Sequence, residues 1–341
     1  MEQKRKKILI MRTDRLGDAI LSTPAIANLR KFYPDSYIAF LCRPYTKDVV
    51  EGNPYLDEII IYDKNKEHKS IFSSIKFCLS LRKKNFDTVF ILNPNNRSNM
   101  LAFFAGIPHR IGLNRKMGHL LTQPIEDKKH EGKKHELEYT LDILKEAGIP
   151  ITEKQTYFPI KKESEKRIEE LLLANGIKNN DFVVIHPSAS CPSKRWMLDN
   201  FIKLSRLIKE KTKLKVIIIS SKEEKKFAEE LTKEERVIDF RGILSICDIG
   251  VLLKQSKLFV SNDSGPVHIA SSLNVPVISI FGRNDPGLSP MRWKPLGEKS
   301  FYIHKAISCK KCLAHNCINN FRCLRSIEPE EVFALIRKIL E

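Results

Sequence analysis

No apolar run in this chain is long enough to cross a bilayer, so nothing in its hydropathy calls for a membrane-spanning helix. The basic start at residues 1–7 leads directly into a strand-like segment without the apolar core of a secretion signal, and the expectation is therefore a cytoplasmic protein. Solenoid-period repeats and low-complexity tracts are absent, which leaves an ordinary globular chain. The Gly-x-Gly-x-x-Gly dinucleotide fingerprint is missing too. Acidic residues are in deficit, 41 against 59 Lys and Arg, for a formal charge of +18. Such an excess suits an anionic partner, whether nucleic acid, a phosphorylated or lipid-linked substrate, or an acidic membrane surface, although solvated lysines account equally for many of the charges. There is no helix-turn-helix, RNA-recognition or finger pattern, and no basic cluster interleaved with aromatics, so no nucleic-acid partner is expected.

What is present is length and alternation. With 341 residues, 42% of them hydrophobic, the chain exceeds the size at which a single core stops growing, and two domains are expected. Strand-like runs at 7–11, 37–41, 58–61, 88–92 and 110–112 are separated by helical patterns, and a second series follows at 182–186, 215–220, 237–239, 258–260 and 275–281. This alternation predicts an α/β fold of two doubly wound, Rossmann-like domains with parallel sheets. The expected boundaries are 1–155 and 163–325, joined across a polar stretch bracketed by Pro150 and Pro159. A terminal helix at 326–341 carries an apolar stripe that must pack on something, the first domain being one option. The Lys- and His-rich segment 127–135 reads as a mobile basic connection.

Of the eight cysteines, Cys42, Cys78, Cys191 and Cys247 are scattered as small apolar residues would be in a reducing compartment. Cys309, Cys312, Cys317 and Cys323 instead crowd into fifteen positions. That spacing suits a structural tetrahedral zinc site or a pair of disulfides, but it departs from paired C-x2-C knuckles, so unmodified thiols stay open.

Four segments at strand ends carry polar groups. In 261–268, Ser264 is placed to cap a helix, Gly265 to allow a tight turn, and Pro266 to start the helix without a wasted N–H. The open N–H groups there favour an anion such as a pyrophosphate, flanked by Asp263 and His268; an ordinary strand-to-helix loop explains the same residues. After the first strand, Asp18 falls at a helix start, where the dipole favours a carboxylate that accepts protons, or where it serves simply as a cap. After the strand at 182–186, Lys194 and Arg195 follow a small-residue loop, either as cations for a phosphate or as a solvated basic pair beside Trp196. Glu223 and Glu224 follow the next strand and begin another helix, as ribose ligands or as plain N-terminal acids.

Together these segments resemble the ADP-heptose:lipopolysaccharide heptosyltransferases, glycosyltransferase family nine, over nearly the whole chain. The resemblance rests on residues 7–12 with 16–24, on Gly-Ile-Pro-His-Arg-Ile-Gly at 106–112, on His186-Pro187 with Lys194-Arg195-Trp196, and on 262–268 with Phe281-Gly282 and Asp285-Pro286. It implies a metal-independent, inverting transferase of the two-Rossmann-domain glycosyltransferase B type, with no required cofactor. By position it implies Asp18 as general base and Lys194 on the donor phosphates. Asp263, Ser264, Gly265 and His268 would line the donor pocket, with Glu223 or Glu224 at the ribose. The implied partners are a nucleotide sugar, ADP-heptose foremost, and a lipid-linked saccharide reached by peripheral contact with an anionic membrane at the inner face of the cell membrane. The alternatives are another nucleotide sugar or surface-glycan acceptor on the same fold, and a non-catalytic basic protein binding zinc or nucleic acid.

Overall fold

The computed structural model describes residues 5–234, 237–309, 312 and 314–341. The chain divides between Pro159 and Ile160 into two compact units. The first holds six strands, β1 (Lys7–Met11), β2 (Tyr37–Cys42), β3 (Glu58–Ile61), β4 (Thr88–Ile91), β5 (His109–Leu113) and β6 (Gln123–Ile125), in the order β3-β2-β1-β4-β5-β6. Every pairing is parallel, and β1 lies in register with both β2 and β4 through Ile8, Leu9, Ile10 and Met11. Those four side chains are fully buried, as expected of a strand covered by helices on both faces.

The second unit repeats the pattern with β7 (Phe182–His186), β8 (Lys215–Ile218), β9 (Val237–Asp239), β10 (Leu258–Asn262), β11 (Val277–Phe281) and β12 (Ser300–His304) in the order β12-β11-β10-β7-β8-β9, again all parallel. Counted within its own unit, that is the same order as the first. Each sheet therefore has one topological switch point, between β1 and β4 and between β7 and β10. Ligands of open parallel sheets bind outside the carboxyl ends of such strands.

One expectation, the mobile basic connection at 127–135, is revised. The terminal helix Pro329–Leu340 packs against the helix Leu198–Lys211 of its own unit, burying Val332, Phe333 and Ile336 beside Phe201, Leu204 and Ile208. Residues 127–135 are not a loose basic connection: Lys129 and His135 are buried, Lys129 against Glu136 at 2.6 Å and His135 capping the helix Glu136–Glu146. The helix after β1 is broken at Ser22 into Leu16–Leu21 and Thr23–Phe32, with Pro24 in the opening turn of the second piece, where its missing N–H costs nothing. Among the described residues, no helix is long and apolar enough to cross a membrane.

Candidate functional site

In the first unit the chain leaves β1 through Arg12, which is 1% exposed and could not be buried without anionic partners. Its Nη2 donates to Asp18 Oδ1 at 2.5 Å and to Glu136 Oε1 at 3.1 Å, its Nε to Asp14 Oδ1 at 2.8 Å, and its Nη1 to the Leu92 carbonyl at 2.9 Å, beyond β4. Asp18 stands in the first turn of the helix Leu16–Leu21, but the residue preceding that helix is Arg15, and no side chain caps it. The capping role is thus excluded for Asp18, whose carboxylate is held by Arg12 at the switch point. Lys129 adds a second buried cation on Glu136. Although the Asp14 side chain keeps 28% of its surface exposed, desolvation within this cluster pushes its carboxyl up to about 7 against the pull of Arg12.

The second unit builds a different constellation. Asn262, fully buried at the end of β10, accepts from the Trp196 backbone N–H at 2.9 Å and donates to the Pro187 carbonyl at 2.6 Å, so that one side chain brackets both ends of the loop after β7. That loop ends in Lys194, whose Nζ lies 2.6 Å from Asp263 Oδ2. The lysine side chain is 15% exposed and that of Asp263 5%. Lys194 is therefore not a solvated partner of Arg195. Arg195 donates to the Ala189 carbonyl at 2.8 Å and approaches Glu224 at 3.6 Å.

The helix Gly265–Ser272 starts at the same point. Ser264 occupies the capping position without capping: its hydroxyl meets Ser261 Oγ at 2.8 Å and His186 Nδ1 at 3.3 Å. The helix end is thus left without a side-chain cap, which is the arrangement an incoming anion needs. Gly265 is not among the glycines with positive φ; it is the first helical residue, and the tight-turn expectation does not hold. His268 is buried on this helix. Burial also lowers His186 to about 4, keeping a neutral imidazole between the serine hydroxyls.

Glu223 and Glu224 separate. No α-helix follows them, only the short 3-10 turns Lys225–Ala228 and Glu230–Lys233. Glu223 is exposed, whereas Glu224 is half-buried beside Arg195 with its pKa raised by burial, Arg195 opposing.

Gly282 explains how close the neighbouring strand end comes. A Cβ there would lie 2.6 Å from Leu324 Cγ and 2.7 Å from the Ser193 carbonyl oxygen, so only glycine lets the end of β11 press on the Lys194 turn. Arg283 then donates to Ser193 Oγ at 3.0 Å and Cys191 Sγ at 2.8 Å, fixing that turn from its other side.

The four clustered cysteines line a cavity of about 20 Å³ together with Ser193, Gly282 and Asn284. No disulfide joins them in this structure. Asn319 Nδ2 donates to Cys309 Sγ at 3.1 Å and the Phe321 N–H to Cys317 Sγ at 3.2 Å, while burial pushes Cys323 up to about 11. Among the described residues no three His, Cys, Asp or Glu side chains are grouped as metal ligands.

Sequence reasoning singled out Asp18, Lys194 and Asp263 but gave no role to Arg12, Glu136, Asn262 or His186. Arg12 and His186 terminate strands, a signal in itself. Glu136 lies 124 residues from the arginine it holds, and no local pattern connects them.

The family model of glycosyltransferase family 9 (heptosyltransferase) matches residues 74–321, a span containing Lys194 and the 261–268 turn and beginning after Asp18. Lipopolysaccharide heptosyltransferase 3 of Escherichia coli K12 is 26% identical over 336 residues, covering 95% of both chains. The solved structure of a family 9 glycosyl transferase from Veillonella parvula superimposes with a TM-score of 0.87 at 22% identity, over 100% of this chain and 98% of that one. The E. coli heptosyltransferase WaaC, solved with ADP, shares the fold with a TM-score of 0.73 at 17% identity, over 98% and 99% of the two chains.

Proposed function

The chain belongs to glycosyltransferase family 9, the heptosyltransferase family, and from that premise we propose that it transfers a heptose from ADP-heptose to a lipopolysaccharide inner-core acceptor, with inversion at the sugar C1. The observation that carries the proposal is the Lys194–Asp263 pair, 2.6 Å apart beside the uncapped start of the helix Gly265–Ser272. A cation and a helix N-terminus together stabilise charge developing on a diphosphate leaving group.

The first unit would supply the acceptor half. An acceptor hydroxyl oxygen forms the new bond to C1 from the face opposite the nucleotide as the Asp18 carboxylate takes its proton, and the bond from C1 to the phosphate oxygen breaks to release ADP. Arg12 keeps the Asp18 carboxylate in one orientation throughout. In the second unit Lys194 would move between Asp263 and the donor phosphates, Ser264 and Gly265 would lie against the phosphates, His268 would complete the pocket, and Glu224 would reach the ribose. Glu223, exposed, is the weaker ribose ligand.

Thermal unfolding with ADP-, UDP- and GDP-sugars tests the donor. ADP-heptose at about a hundredfold excess over its Kd should add about 2.7 kcal/mol of stability, and Lys194→Ala should lose most of that gain. Stabilisation by a UDP- or GDP-sugar in its place would keep the fold and transfer chemistry but replace the donor.

A further inference from the structure

Seven of the fifteen large apolar side chains exposed among the described residues lie on two helices of the first unit. On the helix Ile71–Lys83, Ile71, Ile75 and Leu79 form a stripe at four-residue spacing with Phe72 beside it, their exposures being 78%, 51%, 52% and 85%. The opposite side of that helix sends Phe77, Cys78 and Leu81 into the core. The helix Asn96–Phe104 buries Leu101 and Ala102 in the same core cluster and turns Met100, Phe103 and Phe104 outward. Since the two helices touch each other and cover one core, their outer faces form one surface.

Its charges are all of one sign. Neither helix contains an Asp or Glu, while Lys76, Arg82 and Lys83 are exposed among the apolar residues of the first and Arg97 on the second. The Arg110 guanidinium stands 5.5 Å from the centre of the Phe103 ring. A helix on a soluble protein normally turns a polar face to water. Here the outward face is apolar and cationic, the pairing found where helices lie in a lipid headgroup layer.

We propose that this face docks on an anionic bilayer, Ile71, Phe72, Ile75 and Leu79 entering the acyl boundary while Lys76, Arg82 and Lys83 meet lipid phosphates. A second copy of the chain is the poorer occupant: a two-fold contact sets the same patch against itself and would bring cation against cation. The inference rests on the lipid-linked acceptor of the proposed function and gives that partner a landing surface on the chain.

Co-sedimentation with phosphatidylglycerol/phosphatidylcholine vesicles and with pure phosphatidylcholine vesicles tests it, with ADP-sugar affinity measured on the same preparations. The wild-type protein should bind the anionic vesicles and lose that binding in high salt. Phe72→Ser with Ile75→Ser, and separately Lys76→Glu with Lys83→Glu, should each weaken it at least about tenfold with nucleotide-sugar affinity unchanged. Wild-type binding by both double variants, or no binding to anionic vesicles while the donor still binds, overturns the inference and leaves the transferase reading intact. A concentration-dependent dimer in sedimentation velocity that Phe72→Ser with Ile75→Ser abolishes would also overturn it, assigning the face to a second copy. Vesicle binding without nucleotide-sugar binding would instead overturn the transferase reading.

Discussion

Two carboxylates at the two switch points each rest on a cation, Asp18 on Arg12 at 2.5 Å and Asp263 on Lys194 at 2.6 Å, and the cations differ in a way that suits different tasks. Arginine cannot give up its proton and binds through a rigid planar fork, so Arg12 fixes Asp18 in place; lysine is a point charge on a flexible stem, free to swing onto a phosphate. Asp18 and Lys194 could be singled out because each follows a strand end, Asp18 at a helix start and Lys194 after a small-residue loop. The ion pairs were not, since Lys194 and Asp263 are 69 positions apart and meet only through the fold. His186 yields a prediction at this scale. Its pKa falls from 6.5 to about 4 on burial, so the unfolded chain takes up the proton first. This residue's contribution to stability is intact above pH 6.5 and declines as the pH falls through that window toward about 4. Nuclear magnetic resonance should show its imidazole unchanged down to about pH 5, with the midpoint near 4; titration near 6.5 would place His186 in water.

Among elements, the Lys194 turn is the most constrained, held by Asn262 from β10 and by Gly282 and Arg283 from the end of β11. Gly282→Ala would force the Ser193 backbone or Leu324 to move, at a cost of about 1–3 kcal/mol, and would displace Lys194. Urea unfolding should show that loss together with a weaker ADP affinity; unchanged stability and affinity would mean that the turn yields freely. Central strands were legible because burial on both faces leaves continuous apolar runs, as in Phe182–His186. The edge strands β6 and β12 were missed for the opposite reason: Gln123–Ile125 is three residues long and contains Pro124, and Ser300–His304 is largely unburied. The helix Ile71–Lys83 is apolar on both sides, a pattern that fits a buried helix as well as a docking one, so its exposure emerged only from the packing.

At the scale of the molecule, one strand order occurs twice, and each copy delivers a different chemistry to the same topological position: a carboxylate fixed by arginine in the first unit, a lysine beside a helix start in the second. The alternation of strands and helices made that architecture legible. The division falls at Pro159, inside the polar stretch where Pro150 and Pro159 interrupt the pattern. The +18 charge was legible as a total but not as a map, because a surface face such as that of Lys76, Arg82 and Lys83 exists only once its helix is packed. The central claim is that Asp18 takes the acceptor proton in a glycosyl transfer whose donor is held by the second unit. Asp18→Asn preserves shape and removes the base, so initial rates of product formation from ADP-heptose and a lipopolysaccharide inner-core acceptor, measured alongside ADP affinity, test it directly. The expected result is a rate about 10²–10⁴ lower with ADP affinity unchanged, and a wild-type rate in the variant would contradict the account.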